Sequence, residues 1–131
     1  NVLRWSVGVE RQFYFMFRHF GLLYSGLDLV NLDMTPRAGV AALSTFYRML
    51  DGGTFERIEE RTDGTFTAYF RGWQGENILV YWNPDMDTDG QPDGVFVLPK
   101  GLVRMRALDM EGRELDALPL SCEPVYVIYG K

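Results

Sequence analysis

The sequence predicts a mainly β protein: a small antiparallel β-sandwich of about seven strands, preceded by one strand and one α-helix. Three observations carry that expectation. After residue 53 the chain runs as short apolar segments separated by turn residues. Before it lies an aromatic run that follows a glycine, and between the two is an amphipathic stretch with both helix ends marked. The seam falls at "LDGGTF", residues 50 to 55, and divides the chain into residues 1–52 and residues 53–131.

Taken in order, "GVERQFYFMF" (8 to 17) is nearly continuously apolar, the profile of a strand buried on both faces. In "LVNLDMTPRAGVAALSTFYRMLDGG" the spacing predicts a helix over 35–50. Thr35 is its N-cap, Pro36 its first residue, and Gly52 stands just past its end. Val40, Leu43, Phe46 or Tyr47, and Leu50 recur every three or four positions and form one apolar stripe. Then "TFERIEER", the turn "TDG" and "TFTAYFRG" read as a hairpin. Phe66, Ala68 and Phe70 alternate with Thr67, Tyr69 and Arg71, so one face is expected to be wet. "ENILVYWN" is apolar on both faces and reads as a central strand. "GVFVLPKG", "LVRMRALD", "ELDALPL" and "EPVYVIYGK" complete the seven, with "MEGR" as a turn. The charges of "ERIEER" suit an exposed edge strand protected against pairing with another chain.

Composition narrows the function. Of the 131 residues 47% are hydrophobic and 15% aromatic, enough for a packed core with rings left over for the surface. A net charge of -5 and a pI near 4.8 leave no basic stripe for a phosphate backbone, so no nucleic acid partner is expected. No apolar run approaches the ~18 residues that span a bilayer, so no membrane partner is expected either. The single cysteine, Cys122, rules out an intrachain disulfide and reads as a buried thiol.

Three stretches together resemble a known family: "TPRAGVAALSTFYRMLDGG", "YFRGWQGENILVYWN" and "VRMRALDMEGRELDALPLSCEPVYVIYG". They look like the C-terminal part of a retaining glycoside hydrolase of clan A, similar to family 39 and family 5 enzymes. There, "D-x-x-G" followed by "P-V-Y-V/I" ends a β-sandwich packed on a (β/α)8 barrel. The resemblance covers almost the whole chain. It implies that residues 1 to 5 are the tail of the barrel's seventh helix, 9 to 17 its eighth strand and 35 to 50 its eighth helix, and that 53–131 are the accessory sandwich. The catalytic glutamates of such enzymes end the fourth and seventh strands and would precede Asn1, so this chain is expected to be inactive by itself. Glu10 opens its strand, whereas such sites lie at the C-terminal ends. The resemblance further implies the parent's catalytic barrel as partner, and an extracellular or bacterial cytoplasmic location. A strand and helix evolved for a barrel would seek substitute partners, so a homodimer through the orphan strand is expected.

The family's usual subsite tryptophan at the end of the eighth strand is missing from "FMFRHF". The substrate-subsite candidates are therefore Phe15, Phe17, Arg18 and His19, set against plain core packing and a solvated loop. His19 is the only histidine, too little for a zinc site. The alternative function is a stand-alone β-sandwich module that binds carbohydrate or protein. Sugars stack on flat rings, which makes Trp73, Tyr69 and Trp82 its candidates. Tyr81 and Trp82 are adjacent in a strand, so at least one is core. Trp73, in the turn "RGWQGEN", is either a plug against the barrel or an exposed platform.

One loop invites a metal. In "NPDMDTDGQPDG" Asp85, Asp87 and Asp89 hold positions 1, 3 and 5 of a calcium loop. Gly90 takes the turn, Gln91 offers a carbonyl, and Asp93 stands ninth. Position 12 is Phe96 rather than glutamate and the flanks are strands, so this is not an EF-hand. The two readings are a Ca2+ site and an acidic hairpin turn whose repulsion is screened by salt.

Overall fold

The computed structural model describes residues 2–9, 16–18, 28–31, 33–86 and 94–130. In chain order the elements are α1 (Val2–Ser6), β1 (Met16–Arg18), β2 (Asp28–Val30), α2 (Ala38–Leu50), β3 (Thr54–Glu60), β4 (Phe66–Arg71), β5 (Asn77–Trp82), β6 (Gly94–Val95), β7 (Val103–Leu108), β8 (Pro119–Leu120) and β9 (Val125–Gly130). The mainly β class is the one that forms, and all seven segments anticipated after residue 53 contain a strand. Five of them make one antiparallel sheet in the order β3-β4-β5-β9-β7; among the described residues β6 pairs with β8, and β1 and β2 form a separate parallel pair.

The sheet is built around β5, whose four inner residues Ile78, Leu79, Val80 and Tyr81 are all buried. Because side chains alternate across a sheet, a strand apolar at every position must be covered on both faces. One face, carrying Ala68, Phe70, Ile78, Val80, Leu108 and Tyr126, packs under Val2 of α1 and Leu50 of α2. The opposite face carries Tyr69, Leu79, Tyr81, Val125, Val127 and Tyr129. It is closed by Phe96, Leu118 and Leu120, from the β6–β8 ladder and its flanks. Tyr81 joins these layers twice. Its ring stacks on Phe96 at 3.8 Å and 5°, and its hydroxyl donates to the Pro119 carbonyl at 2.8 Å.

This second cover corrects the expected wet face of the first hairpin. Thr67 and Tyr69 are as buried as Ala68 and Phe70, and only Arg71 at the strand's end is exposed. The edges are managed differently. β3 is mostly exposed, carries the pairs Arg57–Glu59 and Glu56–Arg71, and has a bulge between Phe55 and Arg57. β7 is bulged between Arg104 and Arg106, and Glu114 bridges back to its Leu108. Charges and bulges both discourage edge-to-edge pairing.

The helix differs from its sequence reading at one end. Its C-terminus is as expected: the Asp51 N–H donates to the Tyr47 carbonyl, and Gly52 takes φ +68, the left-handed conformation that glycine adopts without strain. Its N-terminus begins two residues later than the Pro36 start, at Ala38, with Arg37 in the cap position and no side-chain cap. The reason is competition. Thr35 donates its hydroxyl to Asp33 at 2.6 Å, and Pro36 is held in a bridge with Val30, so residues 35–37 run as an extended partner of β2. Of the two aromatics offered for the stripe, Phe46 faces the core and Tyr47 is exposed.

The strand expected over 9–17 is described from Met16 to Arg18, and residues 10–15 lie outside the described residues. Its parallel partner β2 was not anticipated, because three residues, "DLV", carry no period.

Candidate functional site

At one end of the sheet three connections meet at Asn83, which is 2% exposed. Its Nδ2 donates to the Asp63 carbonyl at 2.9 Å, fixing the β3–β4 turn. Its Oδ1 accepts the Asp85 N–H at 3.0 Å, and its own N–H donates to the Ser121 carbonyl. Asp85 therefore starts the acidic loop as an anchored but exposed residue. Asp87, Asp89, Gln91 and Asp93 lie outside the described residues, and among the described residues no group of three or more metal-ligating side chains converges.

The opposite end carries the β4–β5 turn. The Gly72 N–H donates to the Glu76 carbonyl, and Glu76 folds so tightly against Gly72 that a Cβ there would clash with its carboxyl carbon. This leaves Trp73 at the tip, 76% exposed, beside Gly52 at the end of α2. Both readings for Trp73, a plug against a barrel and an open platform, leave the ring exposed in this chain. The other stacking candidates differ from it. Tyr69 is 2% exposed, with the Arg57 guanidinium 3.6 Å from its ring centroid and its hydroxyl donating to Glu59 at 3.3 Å, so the ring is withdrawn from solvent. Trp82 is half-buried and stacks on its cross-strand neighbour Phe66 at 5.5 Å. Tyr81 is the core member of the Tyr81–Trp82 pair.

Among the subsite candidates, Phe17 and Arg18 are placed by backbone on β1, with Arg18 in register with Val30, while Phe15 and His19 lie outside the described residues. Cys122 is half-buried and free.

The electrostatic shifts among the described residues follow local hydrogen bonds and burial. Four described carboxyl groups depart clearly from their ordinary pKa, and all four move down. Thr35 lowers Asp33, the Arg57 hydrogen bond lowers Glu59, and Thr65 lowers Asp63. At Asp109 burial pushes upward but is outweighed by Arg113, whose backbone and guanidinium both donate to it. The groups that move up are Arg57, Arg113 and four tyrosines. Arg57 and Arg113 rise through hydrogen bonds to Glu59 and Asp109, while burial raises Tyr69, Tyr81 and Tyr129, and takes Tyr126 to about 12.

Sequence reasoning missed a cavity of about 270 Å³ between α2 and the sheet. Val2 and Tyr126 are its buried members, Ala42, Leu43 and Phe46 come from α2, and Met110 and Pro124 come from loops. A smaller cavity of about 180 Å³ also reaches Val2 and Pro124 and touches Trp82. The hydroxyl of Tyr126 makes no hydrogen bond among the described residues. The signal in the sequence was a tyrosine inside the apolar run "PVYVIYG", where a phenolic oxygen must find a partner.

No described helix is long and apolar enough to cross a membrane. Compared with known proteins, the chain matches no family model and no curated relative.

Proposed function

We propose that this chain is the non-catalytic C-terminal portion of a glycoside hydrolase-like protein. Residues 1–52 would be the last βα unit of a (β/α)8 barrel, and 53–131 an accessory β domain that braces it. The observation that carries this reading is the parallel pair β1–β2, which leads into α2 beside strands that, among the described residues, are otherwise antiparallel. Parallel strands occur almost only in larger sheets covered on both faces, and two short strands alone are marginal in water. The apolar stripe of α2 already lies on the accessory sheet through Leu50, Phe46 and Met49, which is how a brace would hold a barrel's outer helix. On this reading Trp73 is a contact that the rest of the barrel covers.

The test is to read the coding sequence upstream of the Asn1 codon and to assay both the chain and its extended form on a panel of 4-nitrophenyl glycosides. An open frame of βα repeats with two strand-terminal glutamates, an active long form and an inert short form are expected. A start codon adjoining Asn1, or turnover by the short chain, would contradict the proposal.

The exposure of Trp73 favours a second reading, a stand-alone module that stacks a sugar on that ring. Titration with soluble oligosaccharides, lost in Trp73→Ala, would select it. No binding to any of them leaves the brace.

A further inference from the structure

We propose that the cavity beneath α2 is a binding site for a small, uncharged, largely apolar molecule carrying one hydrogen-bond acceptor, which the Tyr126 hydroxyl recognises. Size is the first argument. At about 270 Å³ the space exceeds the roughly 150 Å³ of an engineered apolar cavity that admits benzene, and so suits a molecule of about two fused rings. The lining is the second. Val2, Ala42, Leu43, Phe46 and Pro124 are apolar, and no ionisable side chain other than the Tyr126 phenol lines the space among the described residues, so no charged side chain there would pair with an ion.

The third argument is the hydroxyl itself. Tyr126 is 3% exposed, lines the cavity, and makes no hydrogen bond among the described residues. A phenol is neutral at physiological pH, and burial pushes this one further up, to about 12, so the Tyr126 hydroxyl is a donor that a ligand oxygen can take up. A molecule that fills the apolar space and presents a carbonyl or ether oxygen meets both needs. The site does not depend on the barrel proposal, since every residue in it belongs to this chain.

A matched pair of probes tests the proposal: 1-indanone, which carries a ketone acceptor, and indane, which lacks it. In amide-resolved NMR titrations of the full chain, 1-indanone should saturate, shift signals of Ala42, Leu43 and Tyr126, and bind about tenfold more tightly than indane. Tyr126→Phe keeps the ring and removes the donor, and should erase the difference between the probes. Ala42→Leu narrows the space and should weaken both. Three results would overturn the proposal: no saturation by either probe at millimolar concentration, a ketone preference that survives Tyr126→Phe, or shifts that map elsewhere on the sheet. Because Tyr126→Phe is nearly isosteric and Ala42→Leu keeps a strong helix former, loss of folding in one leaves the other to decide.

Discussion

The two halves of this molecule solve the problem of orphan strand edges in opposite ways. In residues 53–131 the three inner strands β4, β5 and β9 are paired on both sides and covered on both faces, and the edges β3 and β7 are blunted by charges and bulges. In residues 1–52 two three-residue strands pair with each other in parallel and with no other strand among the described residues. The difference teaches where stability resides. The sheet closes its own hydrogen bonds and buries one apolar face under the β6–β8 ladder and the other under α1 and α2, while the β1–β2 pair has a geometry that needs neighbours. The helix α2 belongs to both halves, because it follows β2 in the chain and lies on the sheet in space.

The largest expected effect is in the sheet. Phe70→Ala removes a side chain that is fully buried beside Phe55, and should cost about 3–5 kcal/mol in denaturant unfolding. Phe46→Ala, half-buried on α2, should cost roughly 1–2 kcal/mol. Equal losses would mean that the two halves are not energetically distinct.

Next is Asn83→Ala, which frees the Asp63 carbonyl and the Asp85 N–H at once and should cost about 2 kcal/mol. A change within error would show that water replaces these bonds. Smaller still, Gly112→Ala should cost about 1–2 kcal/mol. Gly112 sits at φ +88, and its new Cβ would stand 2.8 Å from Thr45 Oγ1 on α2, so the substitution strains the contact between helix and sheet. If it is neutral, α2 is not held by the 109–113 turn.

The smallest effect is electrostatic. The carboxyl of Asp109 is lowered in the folded state, so its contribution is present above the unfolded value near 3.9 and is lost as pH falls through the folded value. The pair with Arg113 is largely exposed on the arginine side, so the loss should stay below about 1 kcal/mol between pH 5 and pH 2. Asp109→Asn should flatten that part of the stability profile, and an unchanged slope would place the acid sensitivity elsewhere.

Much of this architecture was legible in the sequence, because local chemistry writes it there. "TDG", "GWQGEN" and "MEGR" mark turns that form, and the unbroken apolar run "ILVY" announces a strand covered on both sides. Strand order was not legible. β9, last in the chain, enters between β5 and β7, and no local pattern encodes a pairing between Val80 and Tyr126. The start of α2 was misread because the Thr35 N–H and hydroxyl both donate to Asp33, and among the described residues its oxygen accepts from no helix N–H group. Tyr69 looked like a surface ring because alternation cannot reveal the small β6–β8 ladder that covers the second face. The cavity at Tyr126 arises between α2 and the sheet, so no single segment carries it.

The account rests on β1–β2 being part of something larger than this chain, and native-state hydrogen exchange tests that most directly. For the chain alone at low concentration, the amides of 66–71, 77–82 and 125–130 should be strongly protected, and those of 16–18 and 28–30 should exchange close to the rate of an open chain. Light scattering in the same buffer should show the ladder gaining protection only where copies associate. Equal protection of the ladder and the central sheet in a monomer would mean that residues 1–52 are complete as they stand, and would contradict the barrel reading.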